Sequence, residues 1–429
     1  MITNPQIYHG EWWVPANLDP NLRGFCPDLE PSEGIERKYT GTLTYYGDED
    51  SILELYRVPS ELPYINYTVS PVIWGEDLDG NIFTLFSSSI TNYESSKFTK
   101  IEYKVRYIIK GEHLLSWEDD IFSRCVVKFP YLRKWALQDN ISFKQIDEQL
   151  AFLVDNISQK DYLSRADVEE EEEWLLQGQV QERIQPPDVS LIQSTNVVIQ
   201  AKRGISFKKI IRYIVEFEQF ISIALYCEQS ATEAELVCKS TEKKLSLLFK
   251  TGPSVDPGVR KLIKFEELKE KVPSMLKIWH DNYNNISPIC HYLIQSTRKK
   301  SVFDVPDFII IAQALDGYFK RFENKRNIKK YEEEIKYLLN LFKDVEVIQK
   351  CKIDTEVLKD SRHKYSHLYP DDEDSKAVSG SELLWLTKKG QMLLTCCILK
   401  LLGLTGEEIN LCCKGSLLEE WVRNMPSEL

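Results

Sequence analysis

Near residue 255 the hydrophobic pattern of this chain changes period, and that change limits the fold more than any other feature. Before it, Ile101-Glu102-Tyr103-Lys104-Val105-Arg106-Tyr107 alternates apolar and charged residues, the pattern of a strand with one buried and one wet face. Gly41 to Tyr46, Ile52 to Tyr56 and Ile82 to Phe86 are further short runs of β-formers, separated by turn signals such as Gly47-Asp48 and Asp79-Gly80-Asn81. Short strands at this spacing predict a sandwich or barrel-like domain. After the turn formers Thr251-Gly252-Pro253-Ser254 and Asp256-Pro257-Gly258 the pattern is helical to the end. The expected class is therefore α+β, with a β-rich domain followed by an all-α helical bundle.

From about residue 141 the β pattern loosens, and Val168 to Trp174 holds five consecutive Glu before Pro186-Pro187. A charge run of this kind reads as a solvated helix or linker, or else as an acidic flap that mimics RNA over a basic site. Val189 to Ala201 reads as extended and Ile210 to Cys227 as an apolar helix. This mixed stretch either completes the first domain or stands alone; grouping it with the first domain gives units 1–255 and 256–429.

Ten cysteines raise the question of disulfides or zinc, and their spacing argues against both. Six are scattered singly, Cys396-Cys397 and Cys412-Cys413 are adjacent pairs in apolar helical sequence, and no CxxC occurs. They read as free thiols packed as small hydrophobes, with no metal and no cofactor assigned. No charged leader precedes an apolar run at Met1 to Gln6, and the most apolar stretch, Met392 to Leu404, is interrupted by Lys400. The expectation is a cytoplasmic protein with no membrane span.

Net charge is −12, which argues against a protein that coats nucleic acid along its whole surface. The charge is unevenly placed, however. Residues 257–350 hold 18 Lys+Arg against 13 Asp+Glu, a local +5, so the remainder carries −17. A polyanion has a basic surface to meet in the helical region.

The densest cluster of reactive side chains is Asp360-Ser361-Arg362-His363-Lys364-Tyr365-Ser366-His367-Leu368-Tyr369-Pro370, with two of the chain's six histidines. Ser361, helped by Asp360, is expected to cap a short helix that Tyr369-Pro370 ends. On such a helix Arg362 and His367 lie about 140° apart. An imidazole and a guanidinium lining one groove suit RNA cleavage without a metal. The ribose 2′-hydroxyl must lose a proton as it attacks phosphorus and the 5′-oxygen must gain one, and a group titrating near ~6.5 can serve either step. The growing charge on phosphorus-bound oxygens calls for a bidentate, permanently charged donor, which favours Arg over Lys. Other readings of the spacing remain: His363 and His367 at i, i+4 as metal ligands, or a structural Arg362 paired to Asp316 or Asp360 with His367 buried. Asp316 itself lies in a helix expected to start near Pro306, capped by Asp304 or a neighbour, on the face of Ile309, Ala312 and Phe319. A carboxylate there needs a cation or donors, unless it sits at the stripe's wet edge.

Arg362-His363-Lys364-Tyr365-Ser366-His367 resembles the Arg-x4-6-His motif of HEPN domains, helical ribonuclease modules of prokaryotic defence and toxin systems. Gln313-Ala314-Leu315-Asp316 resembles the Gln-Ala-Leu-Glu stretch of the ApeA-like branch, and Gly10-Glu11-Trp12-Trp13-Val14-Pro15 with Gly41-Thr42-Leu43 is similar to the N-terminal domain of that branch. The resemblance implies a HEPN bundle over 256–429 and a regulatory or sensor domain over 1–255. It implies a metal-independent endoribonuclease of an anti-phage abortive-infection system that cuts host RNA, with transfer RNA as the substrate expected by family analogy and a phage-derived trigger. Arg362 then orients the scissile phosphate, His367 acts as acid or base, and Asp316 holds Arg362 or an imidazole. His363 stands where many HEPN nucleases have Asn and serves as a second proton carrier or a polar support; Lys364, Ser366 and Tyr369 contact substrate. HEPN nucleases usually dimerise with facing motifs, so a homodimer is expected. His367-Leu368-Tyr369 also matches a branch in which the Tyr is nucleotidylated. The competing class is a HEPN domain that only binds nucleotides, RNA or partners.

Overall fold

The computed structural model describes residues 4–15, 38–58, 72–94, 99–136, 141–146, 149–154, 160–165, 172–185, 188–298, 305–325, 327–370 and 375–426. The first strands are β1 (Gln6–Trp13), β2 (Tyr39–Tyr45), β3 (Ser51–Val58), β4 (Ile73–Asp77), β5 (Ile82–Glu94) and β6 (Thr99–Lys110). Each is antiparallel to its neighbours, and the order β6-β3-β2-β1-β4-β5 returns to β6, so these six close into a barrel. Alternation explains the closure: Leu43, Leu53, Leu55, Ile101, Tyr103 and Val105 are buried while their strand neighbours are more exposed, and Phe83 to Phe86 of β5 are buried without a break. Gly75 is required by this packing, because a Cβ there would lie 2.1 Å from the Trp12 ring.

The second half of the sheet grows from the same β6. Residues Ile101 to Val105 pair with β3, whereas Tyr107 to Lys110 pair with β14 (Lys244–Phe249), so one long strand serves two neighbours along one edge. The sheet continues through β13 (Glu233–Cys238), β7 (Phe122–Lys128), β12 (Asp188–Ile205), β11 (Glu172–Gln185) and β10 (Lys160–Arg165). A separate hairpin joins β8 (Ile141–Ile146) to β9 (Gln149–Val154). Strands β11 and β12 of the mixed stretch thus hydrogen-bond into the same sheet as the first strands.

The acidic run departs from its expected form. Residues 166–171 lie outside the described residues, but Glu172 to Trp174 begin β11 instead of a helix or linker. Trp174 is buried against Tyr213 and Phe217, and the Glu172 carboxylate, 3% exposed, accepts hydrogen bonds from Lys209 Nζ and Tyr213 OH, each at 2.6 Å. Tertiary partners outweigh the preference of the charge run for water.

The helices are α1 (Leu132–Trp135), α2 (Phe207–Leu225), α3 (Phe265–Leu268), α4 (Val272–Thr297), α5 (Val305–Tyr318) and α6 (Tyr331–Leu341), followed by α7 (Glu346–Cys351), α8 (Thr355–His367), α9 (Gly380–Leu401), α10 (Gly406–Cys413) and α11 (Leu417–Asn424). Ser206 caps α2, its hydroxyl accepting from the Lys209 N–H at 3.3 Å, and the helix lays Phe207 and Phe217 against Phe86 and Phe129 of the sheet domain. Its other side meets the helical region: Trp279 Nε1 donates to the Glu216 carbonyl at 3.0 Å, and Tyr226 OH lies 3.2 Å from Thr395 Oγ1. Residues 250–264 cross between the two regions without regular structure, as the turn formers predict.

The helical core is built by α4, α5 and α9. Gly390 lets α9 approach α5 so closely that a Cβ would meet an Ile311 methyl at 2.8 Å. The apolar stretch over Met392 to Leu399 is a buried core helix, and among the described residues no helix is long and apolar enough to cross a membrane. Eight described cysteines are buried and Cys227 is half-buried, all with free thiols; Cys26 lies outside the described residues. Burial raises the Cys397 thiol well above its usual range, and Cys413 does the same to Cys396 with burial adding to it.

Candidate active site

The segment Asp360 to Pro370 occupies the second half of α8 and its C-terminus. The helix starts earlier than sequence suggested. Asp354, not Ser361, is its N-cap, its Oδ1 accepting from the N–H groups of Glu356 at 2.9 Å and Val357 at 3.2 Å. Ser361 lies mid-helix and fully buried, where its Oγ accepts from the Val378 N–H at 3.1 Å. The difference has a physical reason: a serine is as able to anchor a passing irregular segment as to cap a helix, and only the position of residues 375–379 decides which. Asp360 Oδ2 accepts from the Lys376 N–H at 3.1 Å, and Tyr365 OH donates to the Val378 carbonyl at 2.9 Å, so three side chains of α8 bind the same strap. The helix ends at Leu368, whose left-handed φ of 54° turns the chain while the Leu368 and Tyr369 N–H groups donate to the Lys364 carbonyl.

Arg362 points to the inner side. Its Nη2 lies 3.5 Å from Asp316 Oδ2 on α5, and its guanidinium carbon is 4.4 Å from the centroid of the Tyr331 ring on α6. The Arg362 side chain keeps about a third of its surface exposed, and its Nε is buried with no hydrogen-bond partner. Asp316 also holds Lys320 at 2.7 Å, one turn further along. Lys320 belongs to a π-helical turn, Phe319–Glu323, that continues α5. Asp316 is therefore paired, with its side chain 18% exposed, and does not sit free at a wet edge. Asp304, the cap expected for α5, lies outside the described residues.

The imidazoles lie on another side of α8. His363 and His367 are one turn apart with ring centroids at 5.0 Å, and the Tyr369 ring sits 4.9 Å from His363 and 5.4 Å from His367. All three are exposed, as is Ser366, and Leu368 beside them is 86% exposed. His367 is thus open to a ligand, contrary to the structural alternative that buried it. Lys364 extends its ammonium 5.5 Å from the Tyr365 ring. The fold so brings Arg362 to Asp316 and gathers His363, His367 and Tyr369. Among the described residues no hydrogen bond or ion pair joins the two groups, and no third imidazole, thiol or carboxylate completes a metal-binding set with the histidines.

Three residues beside Arg362 escaped the sequence reading: Tyr331, Lys320 and Glu334. Tyr331 is buried, its OH donates to the Ala312 carbonyl at 3.3 Å, and burial raises its pKa. Glu334 is 3% exposed, and its carboxyl is raised above the usual carboxylate range, first by burial and then by the influence of Asp316. A signal for Glu334 was present: Tyr331, Ile335 and Leu338 form an apolar stripe at helical spacing, and Glu334 falls on it.

Comparison with family models matches residues 7–279 to ApeA N-terminal domain 1 and residues 309–408 to the Apea-like HEPN domain. The chain belongs to the ApeA-like HEPN family. The first match alone spans well over half of it, and the second contains α8 and all but the first turn of α5. Searches of curated proteins and of solved structures returned no significant match. Membership places this ApeA-like protein among anti-phage HEPN proteins, whose HEPN domains are typically associated with RNA cleavage, bind RNA and often dimerise.

Proposed function

We propose that this protein is a metal-independent endoribonuclease that cuts host RNA, with transfer RNA as its substrate, when phage infection releases it from restraint. The observation that carries this reading is the arrangement of α8: an Arg held by a carboxylate and an aromatic ring, and on the same helix an exposed imidazole pair at its C-terminal end. Arg362 grips a phosphate oxygen with its outer N–H groups. His367 takes the 2′-hydroxyl proton or delivers one to the 5′-oxygen. His363, one turn away, carries the second proton or supports the first, and Lys364, Ser366 and Tyr369 border the bound strand. Asp316 sets the direction of the Arg362 fork.

Because Arg362 and His367 leave α8 about 140° apart, one helix supplies half of a cleft. The exposed Leu368 and Tyr369 beside the imidazoles suit a second copy facing the first, so the working unit is a homodimer with a composite site. The unit 256–429 carries this chemistry, and 1–255 senses the phage trigger and holds the nuclease off.

Incubation of the full-length protein with total RNA in EDTA, with and without co-expressed phage proteins, tests the reading. Cleavage by wild type that His367→Ala loses supports it. No cleavage under any activating condition, or equal cleavage by His367→Ala, leaves the reading of a non-catalytic RNA or partner binder.

A further inference from the structure

Where the barrel and the open half of the sheet diverge, they leave a cleft of about 640 Å³, a size that suits a small molecule more than a single ion. Gln6 and Tyr45, directly opposite each other in register, stand on the barrel side, and Arg124, Lys128, Gln177 and Ser246 stand on the other. The alternate residues Cys125, Val127 and Leu236 are buried in the core, so the cleft belongs to the polar face of the sheet.

A polar face calls for no ligand where its charges are matched and wet. At the rim they are: Lys128 holds Glu233 at 2.6 Å, Lys244 holds Glu235 at 2.9 Å, and each of these side chains is more than a third exposed. Deeper in, two side chains are left over. Arg124 on β7 reaches across β12 to β11, where its Nη2 donates to Gln177 Oε1 at 2.5 Å, and its buried Nε has no partner. Among the described residues no carboxylate pairs with Arg124; Glu173, in the same row of the sheet, accepts from Gln200 Nε2 at 2.8 Å instead. The second is Asn196 on β12, which is 0% exposed with neither end of its amide hydrogen-bonded. Its register partners are Gln177 and Lys128, and residues opposite each other in antiparallel strands project to one face. The Asn196 amide therefore lies on the cleft's side of the sheet, between two lining residues. A buried donor and acceptor left unpaired lower stability, and a ligand that meets them recovers the loss.

We propose that this cleft binds a nucleoside monophosphate, with its phosphate on Arg124 and its base against the side-chain amides. One unmatched guanidinium calls for an anion, and its fork fits phosphate. Amides both donate and accept, which suits the mixed edge of a nucleobase. Gln177 yields Arg124 to the phosphate and, with Asn196 behind it, faces the base, while Gln6 closes the barrel side. No residue of α5, α6 or α8 takes part, so the site stands or falls apart from the nuclease reading.

Calorimetric titration of the full-length chain with AMP, GMP, CMP and UMP, with their nucleosides and with inorganic phosphate tests the proposal. Wild type is expected to bind at least one monophosphate about tenfold or more tightly than its nucleoside or inorganic phosphate, because both halves of the site are used. Arg124→Gln removes the charge with little change in length and is expected to weaken that binding by about tenfold or more. Arg362→Ala, in the helical region, should leave it unchanged. If Arg124→Gln melts well below wild type, Ser246→Tyr at an exposed position of the wall replaces it, since it narrows the cleft and should weaken binding likewise. No heat of binding for any monophosphate at about 5 mM overturns the proposal. So does binding that Arg362→Ala abolishes while Arg124→Gln and Ser246→Tyr retain it.

Discussion

The guanidinium carbon of Arg362 lies over the ring of Tyr331, 4.4 Å from its centroid, while Asp316 Oδ2 lies 3.5 Å from Nη2. A planar cation held by a ring on one side and a carboxylate at one nitrogen still has outer N–H groups to offer a phosphate. Lysine cannot reproduce this, since an ammonium has neither a plane nor a fork. Arg362→Lys is expected to lower RNA cleavage by about tenfold to a hundredfold with thermal stability nearly unchanged. Tyr331→Leu should give a smaller loss, with the site still charged but its plane released. Single-turnover rates beside melting curves check both, and an active Arg362→Lys enzyme would remove the case for a bidentate role.

His367 and His363 share a helix side and are both exposed, so their replacement leaves the core intact. His367→Ala is expected to cost about 10² to 10⁴ in cleavage rate. His363→Asn, which introduces the residue common at this position in HEPN nucleases, should retain most activity if His363 is a support and lose it if His363 carries a proton. Comparing the two pH–rate profiles decides between the roles.

The strap over α8 gives a stability test that leaves the reacting groups untouched. Tyr365→Phe removes the hydrogen bond from the phenol to the Val378 carbonyl, 2.9 Å long, and should cost about 1 kcal/mol in urea unfolding. Its effect on cleavage is expected to be slight, because Phe308 still packs edge-on against the ring.

Glu218 on α2 accepts a hydrogen bond from the Ala231 N–H at 2.8 Å, yet its removal from water pushes it up to about 7. A carboxyl raised in the folded state favours folding while it is protonated. Its contribution is fully present below the unfolded value, 4.5, and declines as pH rises through about 7. Glu218→Gln should therefore be no more stable than wild type near about pH 4 but more stable near about pH 8, if the amide keeps the bond to Ala231. Paired denaturation curves at those two pH values read the sign directly.

Close packing behind the site offers a test at a distance. Gly390→Leu drives a side chain into the space of Ile311 and should cost about 1–3 kcal/mol. Because Ile311 and Asp316 share α5, displacement of that helix should also weaken Arg362 positioning. The expected result is lower cleavage in a protein that still folds, measured at a temperature well below its melting point.

Much of the architecture is legible in the sequence. Alternation over Ile101 to Tyr107 marked β6, turn formers marked the crossing between the two regions, and the apolar run at Met392 marked α9. These features are local, and local periodicity is what binary patterning reports. The acidic run was misread for the complementary reason. Five glutamates in a row look solvated until Lys209 and Tyr213, from a helix more than thirty residues later, are known to meet Glu172.

At the candidate site the same division holds. Sequence by itself determined the residue types, their helical phase and the awkwardness of a carboxylate at Asp316. It had no means to choose Asp316 over Asp360 as the partner of Arg362, to add Tyr331 and Glu334, or to turn Ser361 from a cap into an anchor. Those choices depend on how α5, α6 and α8 cross. A crossing is set by side-chain packing between helices distant in sequence, and no window along one segment contains it.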